Sequence, residues 1–157
     1  MININKASSV GLLFVLEDID TYHYLHEYVT RLQAQKIQVK ALGYSKNHLL
    51  PKQFLPILAF DFFYDKNLNF YYKPSADCID NFIKMDFDII IDLSDHHVLP
   101  LKFVSALSNA SLKVGKFHEL DKVIYDVMID SGDEHDQKAF LDEIHQYLTI
   151  LNPKEDV

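Results

Sequence analysis

The stretch that decides the fold is FDIIIDLSDHHVLPLKFVSALSNASLKVGKF, residues 87–117. It opens with an apolar run, passes through a polar turn into a segment with helical spacing, and closes with a second apolar run. Pro100 falls in the first turn of the predicted helix, where its missing N–H group costs nothing. The stretch therefore predicts a strand, a helix and a further strand.

The same alternation starts the chain. VGLLFVL (residues 10–16) is a continuous apolar run typical of a strand buried on both faces. An amphipathic segment follows with Asp20 as its predicted N-cap, and then IQVKALGY (residues 37–44) reads as the next strand. A crossover of this length makes the two strands parallel.

Strands that alternate with helices predict an α/β fold, a three-layer αβα sandwich over a mostly parallel five-stranded sheet. The strand order is either Rossmann-like or flavodoxin-like. We expect one domain over residues 1–157, with residues 1–8 and 152–157 frayed. The five predicted strands are 10–16, 37–43, 87–93, 111–117 and 124–130.

Composition excludes several classes of function. The 157 residues carry a net charge of −8, and Arg31 is the sole arginine. This argues against binding to nucleic acid or to an anionic membrane surface. No apolar run reaches the ~18–20 residues of a membrane span, so we expect neither export nor an anchor. The single Cys78 excludes an internal disulfide framework and fits a cytoplasmic setting.

A motif of an aromatic residue, Asp, three apolar residues and Asp occurs at 60–65, 87–92 and 125–130. Its two carboxylates cannot act together, because residues four apart on a strand lie roughly 13 Å apart. We expect the first Asp of each strand motif, Asp88 or Asp126, to bind turn amides. The closing residues Asp92 and Asp130 lie at the C-terminal edge of the sheet, where open α/β sheets bind ligands.

That edge collects most of the candidate site residues. It is rich in carboxylate and imidazole and would repel a bare phosphate unless a metal ion or helix N-termini offset the acids. Oxygen ligands would suit Mg²⁺ or Mn²⁺, whereas the histidines would favour Zn²⁺ or another transition metal. The predicted ligand-binding residues are Asp18, Asp92, Ser94, Asp95, His96, His97 and His118.

Two other patterns bear on cofactors. The four glycines, Gly11, Gly43, Gly115 and Gly132, form neither a dinucleotide-binding loop nor a phosphate-binding lysine loop. The nucleophile motif Gly-x-Ser-x-Gly is also absent. His23, His26 and Glu27 lie at i, i+3 and i+4 on the first helix and resemble half of a metal site, although a solvated helix face accounts for them. We assign no cofactor and no resident metal from the sequence.

The aromatic segment, residues 60–72, offers a second kind of surface. It holds seven aromatic residues in thirteen, more than one small core readily hides. Part of it could pair with a partner or with a second copy in a homodimer. The predicted partner-binding residues are Phe63, Tyr64, Phe70, Tyr71 and Tyr72.

Residues 87–115, together with VKALGY and YDVMID, resemble members of an uncharacterised bacterial family of small cytoplasmic α/β proteins, a domain of unknown function. The likeness spans nearly the whole chain and implies no activity. IIIDLS, ALSNA and LKVG are also locally similar to the N-terminal domain of heptosyltransferase-type GT-B glycosyltransferases. Those enzymes bind the sugar nucleotide with a second domain, so this likeness implies a Rossmann-like fold and little about sugar transfer.

Three hypotheses for the function follow. The first is a cytoplasmic, non-enzymatic or regulatory module that binds a small ligand or a protein partner at the C-terminal edge of its sheet. The second is a metal-assisted hydrolase or transferase, in which Asp92 or Asp95 holds the ion and a histidine acts as acid or base. The third is an assembly protein that self-associates through the aromatic segment.

Overall fold

A computed structural model describes residues 3–46, 59–68, 76–131 and 136–150. Within these ranges six strands form a single sheet in which every adjacent pair is parallel. The strands are β1 (Ser9–Val15), β2 (Gln38–Ser45), β3 (Phe60–Tyr64), β4 (Asp86–Asp92), β5 (Asn109–Lys116) and β6 (Val127–Ile129). The helices are α1 (Ile19–Ala34), α2 (Asp77–Lys84), α3 (Leu99–Leu107) and α4 (Gln137–Ile150).

The predicted three-layer α/β sandwich is confirmed, and the strand order β3-β2-β1-β4-β5-β6 is the Rossmann order. The prediction of five strands was one short. The sixth is β3, which comes from the start of the aromatic segment and pairs with β2 from Ala41↔Phe60 to Ser45↔Tyr64. The last strand is shorter than the predicted 124–130, because Tyr125 and Asp126 belong to the turn that precedes it.

Two hydrophobic clusters cover the two faces of the sheet. On one face α1 and α4 pack with Phe14, Tyr28 and Ile144 in their shared core. On the other face α2 and α3 pack around Phe82 and Leu101. Each fully buried side chain of this size contributes about 1.5–3 kcal/mol relative to an exposed one, so the two clusters supply the main driving force for folding.

The aspartates that open two of the strand motifs bind backbone amides, but only Asp88 binds one outside a strand, because the partner of Asp126 lies within β5. Asp88 Oδ2 accepts a hydrogen bond from the Ser8 N–H at 2.6 Å. Asp126 Oδ2 accepts one from the Lys113 N–H at 2.8 Å. Both carboxylates therefore tie the start of a strand to its neighbour.

Helix length bears on the membrane prediction. Among the described residues, no helix combines the length and the apolar character that a membrane crossing requires.

Candidate functional site

The central feature of the sheet is the point where β1 and β4 part. Their pairing ends at Leu13↔Asp92, whereas β1 continues beside β2 as far as Val15↔Tyr44. This is the topological switch point of the strand order, where the connections leave toward opposite faces of the sheet. A crevice opens there at the carboxyl ends of the strands.

A small pocket of about 80 Å³ occupies this crevice. That volume is far below the roughly 300–1,000 Å³ of sites for drug-sized ligands. Its walls combine apolar side chains with carboxylate, imidazole, amide, hydroxyl and ammonium groups. The lining residues are Val15, Glu17, Leu93, Ser94, Asp95, His97, Val98, Lys116, Ser131, Asp136, Gln137 and Phe140.

Gln137, the first residue of α4, lines the crevice and completes the end of β1. Its Oε1 accepts from the Val15 N–H at 3.0 Å, and its Nε2 donates to the Val15 carbonyl at 2.9 Å. The side-chain amide thus pairs with Val15 much as a neighbouring strand would, where β4 has already turned away. Sequence reasoning missed Gln137, because nothing in the helical pattern of α4 marks its side chain as a partner for β1.

The N-terminus of α1 is closed by its own carboxylate. Asp18 Oδ1 accepts from the Thr21 N–H at 2.8 Å and from the Thr21 hydroxyl at 3.0 Å, so Asp18 is the N-cap. The prediction of Asp20 as N-cap was wrong by two residues. A dinucleotide-binding protein leaves this terminus open to the pyrophosphate, whereas here an acidic side chain occupies it.

Asp92 was a predicted ligand-binding residue, and the structure places it inside the protein. It is 0% exposed. Its Oδ1 accepts from the Ser94 N–H at 2.9 Å and the Ser94 hydroxyl at 2.6 Å. Its Oδ2 accepts from Ser105 at 2.8 Å, from Tyr125 at 2.5 Å and from the Lys102 ammonium at 3.4 Å. Five donors occupy this carboxylate, so it is unavailable to a ligand.

The partners of Asp92 are themselves tied together, and the set Asp92, Ser94, Lys102, Ser105 and Tyr125 is called here the Asp92 network. Lys102 Nζ also donates to the Ser94 carbonyl and to the Tyr125 hydroxyl, each at 2.9 Å. Burial and the adjacent Asp92 carboxylate raise the pKa of the Tyr125 hydroxyl well above its usual range, so this hydroxyl stays protonated. A buried network whose members are paired in this way fixes the geometry of the chain around it.

The Asp92 network shapes the loop that carries the other candidates. Ser94 is held by Asp92 through both its amide and its hydroxyl, and the next residue, Asp95, lines the pocket. Asp95 Oδ1 lies 2.7 Å from Lys116 Nζ on the neighbouring strand β5. His97 is exposed and also lines the pocket. Asp92 is therefore a positioning residue for the pocket rather than part of its surface.

A second group lies beside the pocket, at the ends of β4 and β5. The imidazole rings of His96 and His118 stack with centroids 3.6 Å apart and planes inclined by 5°. His96 Nδ1 lies 2.9 Å from Asp121 Oδ1, and His118 Nδ1 accepts from the Leu120 N–H at 3.1 Å. Asp121 is 3% exposed. The sequence pointed to both histidines but missed Asp121, which is brought in by a short 3₁₀ turn, Glu119–Asp121.

The predicted site residues thus divide into four sets, and the first is Asp92 alone, which is buried in its own network. Ser94, Asp95 and His97 line the pocket, and His96 and His118 form the neighbouring stack. Asp18 lines a shallower depression at the start of α1. Lys102, Ser105 and Tyr125 were not predicted, because their role depends on α3 and the β5–β6 turn meeting over Asp92.

The structure locates part of the predicted partner surface. Phe63 is fully buried under α2 and packs within the core, which removes it from any surface of this chain. Tyr64 is half-buried, with the Lys66 ammonium 5.7 Å from its ring centre. Phe70, Tyr71 and Tyr72 lie outside the described residues. Self-association through this segment stays a prediction.

The histidines of α1 have a different setting. His26 stacks on Tyr22 and on Phe60, with ring centroids 5.9 Å and 6.2 Å apart, and His23 is exposed. Among the described residues, the one group of His, Cys, Asp or Glu with geometry suited to a metal ion is His96, His118 and Asp121. Of the α1 triplet, His23 and Glu27 lie on an exposed helix face, and His26 packs against Tyr22 and Phe60.

A family model described as "Family of unknown function (DUF6913)" matches residues 1–151 of the chain. No curated protein and no solved structure matches the chain significantly. The local likeness to glycosyltransferases accordingly stays a sequence prediction.

Proposed function

The chain belongs to this family of unknown function, and because the family supplies no activity, we propose from the site geometry that it is a cytoplasmic, non-enzymatic ligand-binding module. The ligand is a small molecule that carries amine or hydroxyl groups and no strong negative charge. It binds in the pocket between the ends of β1 and β4. The observation that carries this proposal is the position of a polar pocket at the topological switch point.

The charges around the pocket support a neutral or cationic ligand. Among the described lining residues, Glu17, Asp95 and Asp136 contribute three carboxylates, and Lys116, the one lysine, pairs with Asp95. The capped N-terminus of α1 removes the usual anion-binding feature of this fold. A phosphate or nucleotide would therefore meet repulsion at this edge.

An unsatisfied hydroxyl group supports a polar ligand. The Ser131 hydroxyl is buried in the pocket lining, and the Tyr24 hydroxyl lies in the adjoining depression. The Ser131 hydroxyl has no hydrogen-bond partner within the part of the chain that the structure describes, whereas the Tyr24 hydroxyl lies close to the Thr21 side chain. Buried polar groups of this kind are normally paired, so a ligand or water that supplies the missing bonds is stabilised there.

Thermal unfolding against a ligand panel tests this proposal. The panel contains small amines, amino acids and polyols, with inorganic phosphate, AMP and NAD⁺ as anionic comparators. A ligand at 100 times its Kd adds about 2.7 kcal/mol, which raises Tm by roughly 5–10 °C in a domain of this size. We expect such a shift from a neutral or cationic compound, and we expect Asp95→Asn to reduce it.

The matched control is Glu143→Gln, which removes one exposed carboxylate from α4 away from the pocket. It should leave the ligand-induced shift unchanged. Stabilisation mainly by AMP, NAD⁺ or phosphate would contradict the proposal, as would a shift that survives Asp95→Asn in full. Chemical turnover of the bound compound would contradict the non-enzymatic part.

The pair of His96 and Asp121 favours one second candidate, a metal-assisted hydrolase or transferase. In that case Asp121, rather than the buried Asp92, would serve the ion, and His96 would move a proton. Assays with p-nitrophenyl phosphate and p-nitrophenyl acetate, with Zn²⁺ or Mn²⁺ added, test this candidate. Activity that His96→Ala abolishes would support it over the ligand-binding module.

A further inference from the structure

Three side chains outside the pocket meet at the ends of two neighbouring strands. His96 lies in the loop after β4, and His118 and Asp121 lie in and beside the 3₁₀ turn after β5. Each of them can offer one nitrogen or oxygen atom, and these three atoms all lie within 4.8 Å of one another. We propose that His96, His118 and Asp121 bind a first-row transition-metal dication, with Zn²⁺ as the reference ion.

The carboxylate of Asp121 gives independent support. The residue is 3% exposed, and its Oδ1 lies 2.9 Å from His96 Nδ1. Its Oδ2 is buried, and no donor among the described residues reaches it. A buried carboxylate oxygen without a partner lowers the stability of the fold. A bound cation would remove this cost by pairing with the oxygen.

The nearby lysines do not supply that cation. Lys116 Nζ lies 2.7 Å from Asp95, and Lys122 Nζ lies 2.8 Å from Glu119. Both ammonium groups are therefore committed to other carboxylates. Among the residues that the structure describes, no ammonium or other donor forms a hydrogen bond with Asp121 Oδ2.

The donor set selects the class of metal. Two imidazole nitrogens and one carboxylate oxygen suit Zn²⁺ and its first-row neighbours, whereas Mg²⁺ and Ca²⁺ prefer oxygen ligands alone. Three protein ligands leave at least one coordination position for water. The His96 side chain is 33% exposed, which gives an ion a route from solvent.

Binding requires a local closure. Metal–ligand distances of about 2.0–2.2 Å require the three donor atoms to approach to within roughly 3.5 Å of one another. A ring nitrogen ligates in the plane of its ring, so the two parallel rings must rotate to converge on one ion. Ligation by His118 Nδ1 would release the Leu120 N–H, which water can then satisfy because Leu120 is 70% exposed.

Metal titration of the full chain, without an affinity tag and stripped of metal, tests this inference. Zn²⁺ is titrated by calorimetry and in competition with a chromophoric chelator, and Co²⁺ is titrated by visible absorption. We expect one ion per chain and a d–d band that reports a site with fewer than six ligands. His118→Ala should weaken Zn²⁺ binding by about 100-fold or more, since loss of outer-shell partners alone typically costs 10–100-fold.

His97→Ala is the matched control, because His97 is an exposed histidine adjacent to His96 in the same loop. It should leave the affinity within about twofold of the unaltered chain. NMR of the histidine rings provides a readout independent of folding, and Zn²⁺ should shift the signals of His96 and His118 but not those of His97. Asp121→Asn is a third variant, to be interpreted where its circular dichroism shows a folded chain.

Three results would overturn the inference. The first is no binding of Zn²⁺ or Co²⁺ at micromolar concentration. The second is equal loss of affinity in His97→Ala and His118→Ala, which would indicate adventitious binding to surface histidines. The third is affinity retained in both His96→Ala and His118→Ala. None of these outcomes depends on the ligand pocket, so the metal site and the proposed function can fail separately.

Discussion

The Tyr125 hydroxyl donates a 2.5 Å hydrogen bond to Asp92 Oδ2 across a separation of 33 residues. The contact joins the turn before β6 to the end of β4. Because Lys102 Nζ lies 2.9 Å from the same hydroxyl, the two residues form the centre of the Asp92 network. A buried ion pair contributes little net stability, but the loss of one partner leaves an uncompensated charge.

Asp92→Asn should therefore destabilise the fold strongly. The variant keeps the shape of the side chain but leaves the Lys102 ammonium buried without its carboxylate, a change that typically costs about 3–5 kcal/mol. Urea unfolding measures it. Adding Lys102→Met should restore part of the lost stability, because it removes the unpaired buried ammonium. The interaction energy between the two substitutions should be about 0.5–3 kcal/mol. Strictly additive effects would show that Asp92 and Lys102 do not act together.

Gly115→Ala should also disturb the Asp92 network, through the ring of Tyr125. A Cβ atom built at Gly115 would lie 2.6 Å from Cε1 and Cζ of Tyr125, closer than carbon atoms approach. The Tyr125 ring is held by its hydroxyl and cannot move away freely, so we expect a loss of about 1–3 kcal/mol in the free energy of unfolding. In a Tyr125→Leu background the same substitution should cost much less. An equal cost in both backgrounds would assign the strain to another contact.

The sequence predicts the layers of this fold well because buried strands and amphipathic helices have distinct apolar periods. VGLLFVL and FDIIID marked the strands that became β1 and β4. The strand order was left open, because local periodicity does not specify which strands pair. The sixth strand β3 was missed because it is a short edge strand within an aromatic-rich segment that could equally form a loop.

The site was harder to predict than the fold. The order of parallel strands in the sequence was enough to predict that Asp95, His96 and His118 lie at one edge of the sheet. It could not show that Asp92 points into the protein, since that depends on Lys102 meeting it from α3. Asp121 was missed for a related reason, because its approach to His96 depends on the 3₁₀ turn that precedes Lys122.

Gln137→Leu should lower the stability of the fold, because Gln137 is the hydrogen-bond partner of the last residue of β1. The variant removes both hydrogen bonds to Val15 and leaves its half-buried N–H and C=O groups without these partners, so we expect the free energy of unfolding to fall by about 1–3 kcal/mol. Hydrogen exchange should also show faster exchange at the Val15 amide. Gln146→Leu makes the same substitution on the exposed side of α4 and should change the stability by less than about 0.5 kcal/mol. Similar losses in the two variants would contradict the pairing of Gln137 with β1.

His145 should make the stability depend on pH. Its Nδ1 lies 2.9 Å from the Tyr28 hydroxyl. Burial and the Arg31 guanidinium lower the pKa of its imidazole, and Asp142 offsets this only in part. The unfolded chain, with a histidine pKa of about 6.5, therefore takes up this proton before the folded chain does. The His145 contribution to stability is fully present above pH 6.5 and is lost as the pH falls through that value toward the lower folded pKa.

The measurement is urea unfolding at pH 8 and pH 5 for the unaltered chain, for His145→Asn and for His23→Asn. Asn retains an acceptor for the Tyr28 hydroxyl and does not titrate, so His145→Asn should lose less stability between the two pH values than the unaltered chain. His23→Asn removes an exposed imidazole from α1 and should follow the unaltered chain. If all three proteins lose the same stability on acidification, the His145 imidazole takes up its proton equally in both states.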